Sequence, residues 1–150
     1  MSEDRREGRQ LFCRIITPQQ MIFDDEVDLV ITRIADGEIG VLVDHAPVVS
    51  TVEIGDVRIH QGDERHIFAT SDGFFKVSEN LVQILVEEAV PVGEIDVGEA
   101  ENRVEEAEKE LSELSGEDLE EPQEEIERRE RIGENLVRVA RRYGEEGRSP

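Results

Sequence analysis

Over the first two-thirds of the chain, apolar and polar positions follow a short period. Leu11 to Thr17 is an apolar run that stops at Pro18. Val27, Leu29 and Ile31 alternate with Asp28 and Thr32, and the turn signal Asp36-Gly37 opens a segment from Ile39 to Val43. Val57 and Ile59 alternate with Arg58 and His60 before Gln61-Gly62-Asp63-Glu64. His66 to Thr70 runs to Asp72-Gly73, Phe74 to Val77 runs to Glu79-Asn80, and Leu81 to Val86 is almost continuously apolar. Segments this short, punctuated at such intervals, predict strands of an all-β sandwich or barrel.

The period changes at Pro91-Val92-Gly93. Asp96 followed by Glu99 fits a helix N-terminus, where side chains satisfy free backbone N–H groups. Val97, Ala100, Val104, Ala107, Leu111 and Leu114 then form a narrow heptad stripe, suited to lying against one other helix. Ser115-Gly116-Glu117-Asp118 closes it. A second helix is expected after Pro122, with the stripe Ile126, Arg129, Gly133, Leu136, Ala140 and Tyr143, flanked by Ile132, Val137 and Val139. The expected organisation is a polar extension over 1–10, a β-sandwich over 11–92, an antiparallel two-helix hairpin over 93–144 and a disordered tail over 145–150. The hairpin seam is rich in Ala, Val and Gly and buries little apolar surface, so it is expected to be weakly held and able to move.

Charge narrows the partners. The net charge is -21, from 38 acidic against 17 basic residues, and only Lys76 and Lys109 are lysines. Such a field repels phosphate backbones, which excludes nucleic acid as a partner. Self-repulsion on this scale is screened by salt, which points to a salt-rich cytoplasm; an acidic, highly soluble protein with locally basic partners fits the same numbers. Cys13 is the only cysteine and lies in an apolar run, so it reads as a core filler in a reducing compartment. No apolar stretch is long enough to span a bilayer, and Met1 to Gln10 is polar and mixed in charge, unlike a signal peptide. Membrane association would have to go through a partner.

The residues make no positive case for catalysis. Neither a phosphate-cradling glycine loop nor a paired-His zinc motif is present, and His45, His60 and His66 are not at metal-ligand spacing. His45 invites a reading as a ligand in a small jelly-roll metalloenzyme, but Pro47 stands where a second His would be wanted. A loop histidine held by backbone hydrogen bonds is the plainer alternative.

Gly37-Glu38-Ile39-Gly40-Val41-Leu42 followed by His45-Ala46-Pro47 resembles the signature of the F-type ATP synthase epsilon subunit family, of bacterial type. Matching elements follow in order: Gly55-Asp56-Val57-Arg58-Ile59, Asp72-Gly73-Phe74-Phe75-Lys76-Val77, Val82-Gln83-Ile84-Leu85-Val86 with Ala89, and Ile95-Asp96. The resemblance covers roughly Leu11 to Leu114 in register, and the second helix by pattern alone.

It implies a ten-stranded β-sandwich followed by a two-helix hairpin, in a non-catalytic subunit of the central stalk. Such a subunit would touch the gamma subunit and the ring of c subunits, on the cytoplasmic face of the cell membrane. The resemblance carries Glu38 to the contact with the polar loops of the ring and His45 to a neighbouring loop at the same end. At Val43-Asp44 the family often has Pro-Gly, so that loop is expected to differ. In many bacterial relatives the hairpin extends along the shaft and blocks ATP hydrolysis. Arg128, Arg131, Arg138 and Arg142 form a stripe about 200° round the helix from the seam, available to an acidic surface on the catalytic head; a solvated helix with Glu124–Arg128, Glu127–Arg131 and Glu134–Arg138 pairs needs the same pattern. Some relatives bind ATP at the start of the first helix, but here Glu99 and Glu106 stand at the expected basic positions, and carboxylates repel a triphosphate, so no cofactor site is assigned. A monomer is expected in isolation. The rival reading is a free-standing β-sandwich binding module that dimerises through its helical hairpin.

Overall fold

The computed structural model describes residues 9–114 and 120–147, with side chains through 9–114 and 122–144. Most of the expected 1–10 extension, the Ser115 to Asp118 link and residues 148–150 lie outside the described residues. The chain divides into two compact units, Met1–Pro91 and Val92–Pro150.

Among the described residues the first unit holds ten strands: β1 (Leu11–Ile16), β2 (Met21–Val27), β3 (Leu29–Ile34), β4 (Gly37–Val41), β5 (Val48–Val52), β6 (Gly55–Gln61), β7 (Glu64–Thr70), β8 (Gly73–Ser78), β9 (Leu81–Val86) and β10 (Ala89–Pro91). Hydrogen bonding follows the order β10-β7-β6-β3-β5-β8-β9-β1-β2, with β4 paired to β3. All pairs are antiparallel except β1–β9, where Phe12 lies beside Leu81 and Ile16 beside Leu85. β3 bends the sheet into a sandwich: Leu29, Val30 and Ile31 pair with β6, whereas Ile34 pairs with Val52 of β5. The two layers close on Val30, Val41, Val57, Ile59, Phe75, Val82 and Ile84, all buried in one core cluster. At the open side, Gln61 of β6 donates to Asp25 (3.0 Å) and to the Glu26 carbonyl (2.7 Å) of β2. Phe23 meets His66 and Phe68 across the same opening, with ring centres 5.4 and 5.8 Å apart.

The apolar period located most of these strands but joined two of them. Val27 ends β2 and Leu29 begins β3, and the Asp28 N–H between them bonds to the His60 carbonyl (2.8 Å). β2, β5 and β10 were not singled out by alternation. β2 is an edge strand whose Asp24, Asp25 and Glu26 face water, and β10 is three residues ending at Pro91.

The second unit begins with a 3₁₀ turn, Val92–Glu94, followed by α1 (Val97–Glu113) and α2 (Glu120–Gly147), which pack on each other. Asp96 caps α1, its Oδ1 accepting from the Glu99 N–H at 3.0 Å. α2 starts two residues before Pro122 and runs to Gly147, past the Gly144 expected as its end. Along the seam Ala100 and Ala107 of α1 and Ile126, Ile132, Leu136, Val139 and Tyr143 of α2 are buried. Ile132 and Val139 therefore belong to the buried face rather than its flank. Gly133 sits where the helices come closest: a Cβ there would lie 2.9 Å from Val104 Cγ2 and 3.2 Å from the Ala100 carbonyl. Arg129 ties one edge of the seam, donating to both oxygens of Glu110 at 2.9 and 3.0 Å, and Arg141 donates to Glu101 Oε2 at 3.2 Å across the same two helices.

Candidate functional site

The β3–β4 hairpin turns through Ala35-Asp36, and Gly37 then takes φ +124°, which a side chain would strain. Glu38 follows, opposite Arg33. Because Ile31 pairs with both Gly40 and Arg58, the alternation of side chains puts Glu38 and Arg58 on the same outer face. The Arg58 guanidinium bonds to Glu38 Oε2, and its Nε lies 3.3 Å from Asp56 Oδ2. Asp56 is buried, the Arg58 side chain is 17% exposed and that of Glu38 is 49% exposed. The turn carboxylate is thus the outer end of an Asp56–Arg58–Glu38 chain, half neutralised and held in place. In the sequence Asp56 and Arg58 stand out only as members of the Gly55-Asp56-Val57-Arg58-Ile59 motif, with no role attached. Their polarity at alternate positions between Gly55, Val57 and Ile59 was the available signal.

His45 lies in the β4–β5 loop, where its Nδ1–H donates to the Ala46 carbonyl (2.7 Å) and its backbone N–H to the Leu42 carbonyl (3.2 Å). Asp44 before it has φ 66°. Its N–H donates to Asn80 Oδ1 (2.6 Å) and its Oδ1 accepts from Asn80 Nδ2 (3.3 Å), while Arg9 Nη1 stands 3.4 Å from Asp44 Oδ2. Aspartate tolerates the left-handed region better than most residues, so the loop keeps a bend that glycine would otherwise supply.

The structure does not bring Glu38 and His45 together. Glu38 is at the start of β4, and its neighbour Gly37 pairs with Ile34, which pairs with Val52 at the end of β5. His45 follows the far end of β4, and its loop is tied to Asn80 beyond the beginning of β5. Glu38 is the second residue of β4 and His45 follows its last, three steps or roughly 10 Å of strand further on, so the two positions mark opposite ends of β4, not one end as expected.

On α2 the four arginines of the stripe have local company. Arg128 stands 3.9 Å from Glu125, Arg138 donates to Asn135 Oδ1 (2.8 Å), and the Arg142 guanidinium lies 5.3 Å from the centre of the Tyr143 ring. Arg131 borders a shallow recess with Glu124, Glu127 and Glu130. Arg131, Arg138 and Arg142 are exposed and Arg128 is part-buried. Glu99 and Glu106 are exposed on α1, and Glu106 helps to hold the Arg129 charge.

A feature that alternation did not disclose is an apolar row on the outer face of β5-β8-β9-β1-β2. Register places Thr51, Phe74, Leu85, Ile16 and Met21 side by side. Phe74 is 64% and Val49, one row away, 73% exposed, with Leu85 and Met21 also open. The doublets Phe74-Phe75 and Leu85-Val86, apolar on both faces of a strand, were its signal in the sequence. Among the described residues no three His, Cys, Asp or Glu side chains converge to hold a metal ion. No described helix is long and apolar enough to cross a membrane. Burial, and then the Asp24 charge, push the Cys13 thiol up to about 12, which leaves it a poor nucleophile.

The family described as "ATP synthase, Delta/Epsilon chain, beta-sandwich domain" matches residues 10–92. The chain is 66% identical over 141 residues to the ATP synthase epsilon chain of Rubrobacter xylanophilus, covering 92% of this chain and 97% of that one. It is 34% identical over 100 residues to the sodium ion specific ATP synthase epsilon chain of Propionigenium modestum, covering 67% and 73%. A chain in the cryo-EM structure of the Euglena gracilis mitochondrial ATP synthase, comprising OSCP, F1 and the c-ring, superposes with a TM-score of 0.71. Its identity is 26%, over 87% of this chain and 81% of that one.

Proposed function

The chain belongs to the family of ATP synthase epsilon chains, which are non-catalytic, and on that premise we propose that it couples the rotor to the catalytic head. The sandwich clamps the gamma subunit to the ring of c subunits at the cytoplasmic face of the cell membrane, touching the membrane only through the complex. The hairpin restrains ATP hydrolysis by extending toward the head, where Arg128, Arg131, Arg138 and Arg142 meet acidic surface. Isolated, the chain is a monomer. The acidic composition fits work in a salt-rich cytoplasm.

The observation that carries the clamp is the exposed row of Phe74, Leu85 and Met21 on a chain of net charge -21. Apolar side chains aligned across four strands are the kind of patch that marks a partner surface. Glu38 and His45, at opposite ends of β4, then serve different contacts: Glu38, held by Arg58, meets the polar loops of the ring, and His45 lies toward gamma.

Membranes carrying the synthase, stripped of their own epsilon chain, provide the test. Added back, the full chain is expected to bind and to slow ATP hydrolysis. Phe74→Asp should weaken binding at least tenfold while leaving the isolated fold unchanged, because Phe74 faces solvent. Replacing the four arginines by Gln should leave binding intact and relieve inhibition. Unchanged binding by Phe74→Asp removes the clamp surface; undiminished inhibition by the Gln variant removes the arginine contact.

A further inference from the structure

The apolar row through Phe74 and Leu85 is only part of the outer face of β5-β8-β9-β1-β2. Two residues along each strand, about 7 Å away, the register aligns Val49, Lys76, Gln83, Arg14 and Asp24. A third row joins Ser78, Leu81, Phe12 and Glu26. All three rows point outward, because Phe75, Val77, Val82, Ile84, Cys13 and Ile15 between them are buried in the core. A polar row with two cations therefore runs between apolar ones, Phe74 and Leu85 on one side, Leu81 and the exposed Phe12 on the other. Arg14 bonds to Asp24 at 3.2 Å. Lys76, one of two lysines in a chain with 38 acidic residues, is exposed between Val49 and Gln83. Among the described residues no carboxylate forms an ion pair with it. The other acidic groups stand at the margins of the face: Glu26 on the edge strand β2, Glu79 in the β8–β9 turn, and Glu53, Asp72 and Glu87 just outside the strand ends beyond Thr51 and Phe74.

A partner that covers Phe74 and Leu85 also covers Lys76, one pleat away. An ammonium group taken out of water without a counter-charge is strongly unfavourable, whereas one that meets a carboxylate is compensated. We infer that the protein held on this face sets a carboxylate against Lys76, flanked by apolar side chains that meet Phe74 and Phe12. The inference rests on the clamp reading and deepens it, adding to the apolar surface a charge that selects the partner. The net charge of -21 favours basic partners, and Lys76 is the point at which the sandwich asks for the opposite sign. A basic group placed there would be rejected, so the lysine fixes both register and choice of partner. An anionic lipid surface fits the face poorly, because carboxylates at its margins repel headgroups around a single unpaired lysine.

Binding of the full chain to synthase membranes stripped of their epsilon chain tests this, with protein-free vesicles of the same lipids alongside. Lys76→Met and Lys76→Gln remove the charge at an exposed position and should keep the native unfolding midpoint. Each should weaken binding at least about tenfold, because the partner's carboxylate is then buried alone. Lys76→Gln carries the test if the Met variant, more apolar on an open face, aggregates. Lys76→Arg keeps the charge and should stay within about threefold of the native chain, and Lys76→Glu should bind weakest of all. Where no carboxylate faces Lys76, removing its charge only spares the cost of desolvating it. Native or tighter binding by the Met and Gln variants therefore overturns the inference, and a Phe74→Asp variant that is still weakened leaves the clamp standing. Native binding by Phe74→Asp removes the clamp and the inference together. Binding of the native chain to the protein-free vesicles assigns the face to lipid and overturns the inference as well.

Discussion

Asp44 and Asn80 both adopt backbone angles that L-residues avoid, φ 66° and 64°, and across 36 positions of sequence the Asn80 side chain accepts from the Asp44 N–H and donates to the Asp44 carboxylate. Asn80→Ala removes both hydrogen bonds and leaves a Cβ in the left-handed region, so it should destabilise the sandwich by roughly 1–2 kcal/mol. Asn80→Gly loses the same bonds without the conformational penalty and should cost less. Urea midpoints of the two variants give the comparison, and equal losses would show that the backbone angle contributes nothing. This pair also marks how far single residues are legible. The turn at Glu79-Asn80 and the departure at Val43-Asp44 are visible in sequence, but not that one residue completes the other's loop. Arg58 is the same case: its polarity is evident, but its bond to Glu38 depends on β3 lying between their strands.

At the level of elements, strands with one face in the core and one in water declared themselves by alternation, as Val57, Ile59 and their polar neighbours do. β2 and β10 did not, because an acidic edge and a three-residue strand ending in Pro carry too little of that contrast. The helices were legible from their stripes, although the α2 face is wider than a heptad stripe and takes in Ile132, Val139 and the buried Asn135. Gly133 gives the sharpest test of the pair. Alanine is the better helix former by about 1 kcal/mol, so Gly133→Ala should raise the helicity of an isolated α2 peptide. In the full chain the added methyl meets Val104 and the Ala100 carbonyl, and exchange protection of the hairpin should fall. Val104→Ala should recover part of it. A hairpin better protected in Gly133→Ala than in the native chain would mean that the helices are not in close contact there.

For the whole molecule the governing number is the net charge of -21. Self-repulsion opposes compaction and is screened as the Debye length shrinks from about 10 Å at 0.1 M to about 3 Å at 1 M salt. Thermal unfolding should therefore move to higher temperature over that range, and a midpoint that stays put or falls counts against the salt-rich setting. Composition disclosed this field, while the pairing of distant strands was beyond it, and that pairing shapes how the protein is made. β1 lies inside the sheet, between β2 and its one parallel neighbour β9, so the first strand synthesised waits for almost the last. On the ribosome no partial sandwich can close around Cys13 and Ile15 until Val86 has left the exit tunnel. Closure then comes late and in one step, with the hairpin still being translated. A nascent chain stalled before β9 carries the core's apolar residues from Leu11 to Val77 without Val82, Ile84 and Val86 to close over them, which makes the unfinished product a client for chaperones and proteases.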